Sequence, residues 1–170
     1  MKVKFKKLLP GAILPKKATE GSAAYDLYVP EDTIVIPGRQ IIPLGFAMEM
    51  EPGHEALVDP RSGFSSKGME GYLIVEMTVI GKLFEDCATE KFVSMKPRRF
   101  DCDVIEGKID SDYRDGVGVI VHNHGPEFLI KAGTRIAQMT VHKVETVEWE
   151  ETDTLSETDR DGGFGSTGTK

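Results

Sequence analysis

Cysteine is scarce in this chain, with two residues among 170, Cys87 and Cys102. Two cysteines are too few for a disulfide framework and their spacing does not match a metal site, so we expect free thiols. No stretch approaches the roughly 20 apolar residues of a membrane span. The basic segment from Met1 to Lys7 lacks the apolar region and cleavage site of a secretory signal. These absences predict a cytoplasmic protein without a membrane anchor.

Positive charge is in deficit, because 21 lysines and arginines face 28 aspartates and glutamates, a net charge of −7. An acidic surface argues against a nucleic-acid duplex or an anionic membrane as the partner. A small polyanion would need local cations and backbone amides. The sequence also lacks a Walker-type loop and a typical pair of nucleophile and base. Phosphate chemistry here would therefore use water as the nucleophile.

Short apolar segments punctuated by glycine and proline predict an all-β sandwich or barrel in a single domain. We expect strands at 3–8, 23–29, 33–36, 40–44, 46–50, 55–58, 72–75, 117–121, 128–130 and 135–144. One helical turn is predicted from Ser62 to Lys67, with Ser62 as its cap. A second short helix is compatible with the sequence from Leu83 to Phe92.

The composition changes after Trp149. From Glu150 to Lys170 the large apolar residues are Leu155 and Phe164, too few to pack as a core element. The sequence thus predicts a barrel domain over 1–149 and a flexible C-terminal arm over 150–170.

The decapeptide from Gly107 to Gly116 places three carboxylates and a tyrosine between two glycines. We predict a β-hairpin whose glycines allow positive φ angles. Ile109 would pack inward, Asp110 would point into a cleft, and Tyr113 would form a flat wall beside that carboxylate. The alternative is an ordinary turn whose aspartates cap their own backbone.

Two other segments suit phosphate. The first, Pro60 to Gly63, joins the Arg61 guanidinium, the Ser62 hydroxyl and the backbone amide of Gly63 near a helix start. An exposed turn is the alternative. The second lies in the arm, where consecutive glycines expose N–H groups beside Arg160, Phe164, Gly165, Ser166 and Thr167. A disordered glycine-rich tail is the alternative there.

Gln138 lies on the outward side of the strand from Arg135, where its amide could donate to a phosphate oxygen or be solvated. Asp26 could hold a metal-bound water or a sugar hydroxyl, or cap a turn. His122 and His124 share one strand face but have no third metal ligand nearby in the sequence.

Five segments, taken in order, resemble the five motifs of the trimeric deoxyuridine triphosphate nucleotidohydrolases (dUTPases): Ala24 to Leu27, Pro60 to Gly63, Gly107 to Tyr113, Gly133 to Gln138 and Arg160 to Gly168. The resemblance implies a jelly-roll β-barrel, the dUTPase-like β-clip. It also implies a homotrimer whose three active sites are each built from all three chains.

By this resemblance, Asp110 would activate the water that attacks the α-phosphorus of dUTP, releasing dUMP and pyrophosphate. Tyr113 would pack under the deoxyribose and reject a 2′-hydroxyl. The backbone around Lys108, Ile109 and Gly118 would read the uracil. A neighbouring chain would hold the phosphates through Arg61, Ser62, Gly63 and Gln138.

The arm of the third chain would close the site, with Arg160 on the γ-phosphate, Phe164 over the uracil, and Gly165, Ser166 and Thr167 on phosphates. The resemblance also implies Mg²⁺ bridging the triphosphate oxygens, with Asp26 contacting its water shell.

The chain departs from the family by an insert at about 69–103 and by the lack of an asparagine just before Gly107. One alternative function is a dCTP deaminase, which resembles the same fold but typically has a further catalytic carboxylate after the hairpin. Another is a non-catalytic module that binds nucleotides or proteins.

Overall fold

The computed structural model describes residues 1–80 and 87–159 of the chain. Within them lie fourteen strands and one helix: β1 (Lys4–Lys7), β2 (Tyr25–Tyr28), β3 (Thr33–Val35), β4 (Gly38–Pro43), β5 (Phe46–Glu49), β6 (His54–Asp59), α1 (Ser62–Lys67), β7 (Met69–Ile80), β8 (Cys87–Val93), β9 (Arg98–Phe100), β10 (Cys102–Ile105), β11 (Gly107–Asp110), β12 (Gly118–Asn123), β13 (Phe128–Ile130) and β14 (Arg135–Lys143). The helix is too short and too polar to cross a membrane, and no longer helix occurs in these residues.

Every strand pair in the described part of the chain is antiparallel. The sheets have the orders β1-β5, β10-β12-β4, β11-β6-β14-β2 and β3-β13-β7-β8, with β9 also paired to β7. Neighbours in a sheet are mostly distant in sequence, as in a jelly roll. The predicted all-β jelly-roll barrel with one or two short helices is confirmed.

The strands enclose a cluster of buried apolar side chains, to which every strand except β1 and β8 contributes a buried residue, in several strands at alternate positions. In β12, for example, Val119 and Val121 are buried while Ile120 is not. At one end of the cluster the Phe100 and Phe128 rings stack with their centroids 4.1 Å apart. This alternation fixes the outward direction of the polar side chains between the core positions.

The helix prediction is confirmed at α1 but its cap is wrong. Arg61, in extended conformation, is the N-cap and makes no side-chain cap hydrogen bond, so Ser62 is the first helical residue. The helix predicted from Leu83 to Phe92 is wrong from residue 87 onward, because β8 pairs there with β7. A long partner strand supplies backbone hydrogen bonds that outweigh a weak local helix preference. Residues 83–86 lie outside the described part.

The predicted hairpin is also corrected. The chain does turn between β11 and β12, but the two strands do not pair: β11 pairs with β6, and β12 pairs with β4 and β10. Neither Gly107 nor Gly116 has a positive φ angle. Gly107 instead lies within β11. The turn depends instead on hydrogen bonds described below.

Cys102 is a free thiol in the core, as predicted. Burial raises the pKa of this thiol to about 12, and the nearby Asp103 and Asp101 carboxylates add to the shift. The side chain of Cys87 is not among those described.

Residues 144–159 contain no helix or strand. The side chains of Trp149 and Leu155 are 91% and 88% exposed in the single chain. The assignment of 150–170 as an arm that closes a neighbouring site stays a prediction.

We expect Gly71→Ala to destabilise the fold, because a Cβ at this position in β7 would overlap the buried Phe128 ring and come within 2.9 Å of the Leu129 carbonyl oxygen. Overpacking of this kind typically costs about 1–3 kcal/mol of unfolding free energy. Gly21→Ala is the matched control, since a Cβ there meets no atom within 4 Å. Equal unfolding midpoints for the two variants in urea would contradict the packing described.

Candidate active site

A cavity of about 330 Å³ separates β11 from β12. Its lining brings together five residues that the sequence singled out: Lys108, Ile109, Asp110, Tyr113 and Gly118. Ile41, Val58, Ile105 and Ile120 supply apolar walls. The cavity is therefore mostly apolar, with Lys108, Asp110 and Tyr113 as its polar lining residues.

The cavity exists because the chain changes sheets between β10 and β11. Strand β10 ends at Ile105, opposite Ile120, so no described strand pairs with Gly118 and Val119 on that side. After Glu106 the chain continues as β11, which within residues 1–80 and 87–159 pairs with β6 alone. Backbone groups that point away from β6 and β4 therefore face the cavity and are available to a ligand.

Asp110 lies at the end of β11 with its side chain exposed, while the preceding Ile109 is buried in the core. Because neighbouring strand residues point to opposite faces, burial of Ile109 directs Asp110 outward. The prediction for these two side chains is confirmed.

The turn after Asp110 is held by its own hydrogen bonds. The Tyr113 N–H donates to the Asp110 carbonyl at 3.1 Å, and the Tyr113 hydroxyl donates to the Gly116 carbonyl at 3.1 Å. The Arg114 guanidinium donates to the Ser111 and Tyr113 carbonyls. These contacts fix the tyrosine ring as one wall of the cavity, where the sequence placed it.

A second cavity of about 340 Å³ is lined by Asp26, Arg61, Ser62, Gly63 and Gln138. The sheet register explains the grouping, since Gln138 in β14 is opposite Asp26 in β2 on one side and Asp59 in β6 on the other. All the phosphate-binding residues predicted in the barrel thus meet at one place.

Asp26 is 7% exposed and forms two ion pairs. Its Oδ1 lies 2.8 Å from Arg61 Nε and its Oδ2 lies 3.0 Å from Arg135 Nη1. The carboxylate therefore orients Arg61 at the cavity. Sequence reasoning missed Arg135, because only the pairing of β14 with β2 brings it to a carboxylate 109 residues earlier.

Asp110 and Arg61 lie near opposite ends of β6. Asp110 is opposite Glu55 near the start of the strand, whereas Arg61 follows Asp59 at its end. Four residues of extended strand span about 13 Å. The two cavities share no lining residue, so a single chain does not combine Asp110 with Arg61 in one pocket.

Among the described residues no group of three or more histidine, cysteine, aspartate or glutamate side chains could hold a metal ion. His124 instead lies 2.8 Å from an Asp103 oxygen, and its ring contacts that of His122. The arm residues Arg160, Phe164, Gly165, Ser166 and Thr167 lie outside the described residues.

A sequence model of the dUTPase family matches residues 11–84 and 100–168. The chain belongs to the dUTPase family. It is 37% identical to the deoxyuridine 5′-triphosphate nucleotidohydrolase of Gloeothece citriformis, over 99% of this chain and 97% of that protein. It is also 37% identical to the Nautilia profundicola protein of the same name, over 99% of both. The predicted membership in this family of hydrolases of nucleotide metabolism is confirmed.

Solved structures share the fold at lower identity. A Staphylococcus bacteriophage 80alpha dUTPase with dUPNHPP has a TM-score of 0.75 and 21% identity, over 99% of both chains. The dUTPase of phage phi11 of S. aureus, whose structure visualises a species-specific insert, has a TM-score of 0.68 and 17% identity over 93% of this chain. Residues 85–99, unmatched by the family model, fall inside the predicted insert and include β8.

We expect Asp26→Asn to destabilise the protein, because the change removes the charge that two guanidiniums share. Breaking a buried pair costs about 3–5 kcal/mol, and the partial exposure of both arginines reduces this to roughly 1–3 kcal/mol. Asp32→Asn is the control, since Asp32 also forms an ion pair, with Lys131, but its side chain is exposed. Denaturant unfolding measures both, and equal losses would show that the Asp26 pairs are no stronger than a surface contact.

Proposed function

We propose that this member of the dUTPase family is a dUTP diphosphatase, which hydrolyses dUTP to dUMP and pyrophosphate with water activated by Asp110. The observation that most supports this is the cavity between β11 and β12, whose lining includes Asp110 and Tyr113. Apolar walls and unpaired backbone groups suit a flat, uncharged base such as uracil.

The base would enter between the two strands. The backbone of Lys108 and Ile109 on one side and of Gly118 on the other would donate to and accept from the uracil edge, as a third strand would. Tyr113 would pack against the deoxyribose, and its fixed ring would leave no room for a 2′-hydroxyl. Steric exclusion of this kind selects deoxyribonucleotides over ribonucleotides.

In the chemical step, Asp110 accepts a proton from a water molecule as the water oxygen attacks the α-phosphorus. The bond between the α-phosphorus and the oxygen bridging to the β-phosphorus breaks, and its electron pair leaves on pyrophosphate. Positioning of the water and stabilisation of the phosphate charge would supply most of the rate enhancement.

The phosphates would be held by Arg61, Ser62, Gly63 and Gln138 of a neighbouring chain. The distance between Asp110 and Arg61 within one chain supports this, since the triphosphate must contact both. A homotrimer would give three such composite sites. The arm of the third chain, with Arg160, Phe164, Gly165, Ser166 and Thr167, would then close over the nucleotide.

Mg²⁺ would be bound mainly by the phosphate oxygens of the substrate, where it would neutralise part of their charge. The donor set fits this arrangement, because Mg²⁺ commonly keeps several waters and takes few protein ligands. Both Asp26 oxygens already accept from arginines, and each retains a further lone pair for a metal-bound water. Asp26 would therefore contact the ion through water.

Incubation of the protein with dUTP, dCTP or UTP in the presence of Mg²⁺ tests the function directly. Pyrophosphate release from dUTP alone is the expected result. Ammonia from dCTP would indicate a deaminase, and no turnover of any nucleotide would indicate a binding module.

Asp110→Asn is expected to lower kcat by about 10²–10⁴-fold, because an amide cannot accept the proton. Binding of a non-hydrolysable dUTP analogue, measured by calorimetry, should persist. Asp112→Asn, in the same exposed turn, is the control and should retain activity. Substantial turnover of dUTP by Asp110→Asn would show that Asp110 is not the base.

Mixed oligomers test the composite site. Asp110→Asn and Arg61→Gln proteins should each be inactive alone. After the two are unfolded together and refolded, some sites should combine an intact Asp110 with an intact Arg61 from different chains, and activity should return. Failure of the refolded mixture to exceed its two components would mean that both residues act from one chain.

Deletion of residues 160–170 should leave the oligomer intact by light scattering but reduce kcat about a hundredfold or more, because closure over the phosphates is lost. An Arg160→Gln full-length chain separates the charge from the rest of the arm. Unfolding of the truncated protein would instead assign the arm a structural role.

A further inference from the structure

Three charged side chains form a row beside the first cavity, and the proposed mechanism uses only one of them. Asp110 in β11 is directly opposite Glu55 in β6. Lys108, two residues before Asp110, lies on the same face of β11 and lines the same cavity. The Lys108 ammonium donates to Glu55 Oε2 at 2.7 Å.

The register places two carboxylates side by side. Opposed residues in an antiparallel pair have Cβ atoms about 4.5–5.5 Å apart, and like charges at this distance repel. The Lys108 ammonium offsets that repulsion by binding Glu55. In this ion pair the Glu55 side chain is 19% exposed and the Lys108 side chain is 57% exposed, so the pair lies at the surface with its carboxylate partly covered.

Lys108 also has a competing partner. Residues two apart on a strand face are close enough for a lysine to reach an aspartate. If the Lys108 ammonium bound Asp110, it would occupy a carboxylate lone pair that is needed to accept the proton from water. The hydrogen bond to Glu55 is the main cause that raises the pKa of Lys108, with Coulombic contributions from Glu55, Glu106 and Asp110. The ammonium therefore stays charged and within reach of both carboxylates.

We infer that Glu55 is a positioning residue that holds the Lys108 ammonium away from Asp110 and so keeps this carboxylate free to act as a base. The inference rests on the proposed function of Asp110. Without Glu55, the Lys108 ammonium would form an ion pair with Asp110. A positive charge in contact with a carboxylate makes it a weaker base.

A double-mutant cycle tests the inference through kcat and KM for dUTP. Glu55→Gln should lower kcat about tenfold when Lys108 is present, with little change in KM, because the base and not the binding site is affected. In a chain that already has Lys108→Met, the same change should alter kcat less than about twofold, because no ammonium remains that could pair with Asp110.

Two further variants act as controls. Glu55→Asp keeps a carboxylate for Lys108 and should recover most of the activity. Glu106→Gln removes another carboxylate close to Lys108 that makes no hydrogen bond to it in this structure, and should leave kcat unchanged. Equal losses from Glu55→Gln in both backgrounds, no loss at all, or a loss confined to KM would overturn the inference.

A crystal structure of Glu55→Gln separates this inference from the proposed function. We expect Lys108 Nζ to move within about 4 Å of an Asp110 oxygen, the usual limit of an ion pair. If Lys108 Nζ moves in this way in the variant but the unmodified protein does not hydrolyse dUTP, the proposed function is wrong and the arrangement of charges is right. If dUTP is hydrolysed but the ammonium stays away from Asp110, the inference alone fails.

Discussion

The change of sheets at Glu106 is the constraint on which the candidate site depends. Strand β10 pairs with β12, but its continuation β11 pairs with β6, so the two strands that flank the acidic turn diverge. Divergence leaves a space with backbone donors and acceptors on both sides. In a regular hairpin those groups would bond to each other, and nothing would remain to bind a flat base. The two sheets are held apart by the core between them, so the gap is a property of the whole barrel.

A second constraint is electrostatic. The chain has a net charge of −7, yet its proposed substrate is a polyanion. Asp26 resolves part of this conflict, because it holds two arginines at one end of β14 and leaves the Arg61 guanidinium facing the second cavity. A buried carboxylate between two cations also leaves a local excess of positive charge. Attraction of the proposed substrate would therefore depend on the positive charge at the second cavity and not on the net charge of the chain.

The sequence predicted the polar residues of the site better than the backbone that presents them. Arg61, Ser62 and Gln138 were recognised by residue type and motif, and the structure brings them together. The hairpin was wrong, because local turn chemistry does not reveal which distant strand a segment pairs with. The partners Arg135 and Glu55 were missed for the same reason, since Asp26 and Lys108 reach them only through the pairing of β14 with β2 and of β11 with β6.

The sequence by itself determined the fold class, the family and most of the candidate site residues. Alternation of apolar residues, glycine and proline spacing, and short motifs are local properties that a chain shows without being folded. The tertiary structure decided that β11 and β12 separate, that Asp110 and Arg61 lie at opposite ends of β6, and that Glu55 binds Lys108. These features depend on strand register across long sequence separations, where the free energy of pairing comes from the assembled core and not from neighbouring residues.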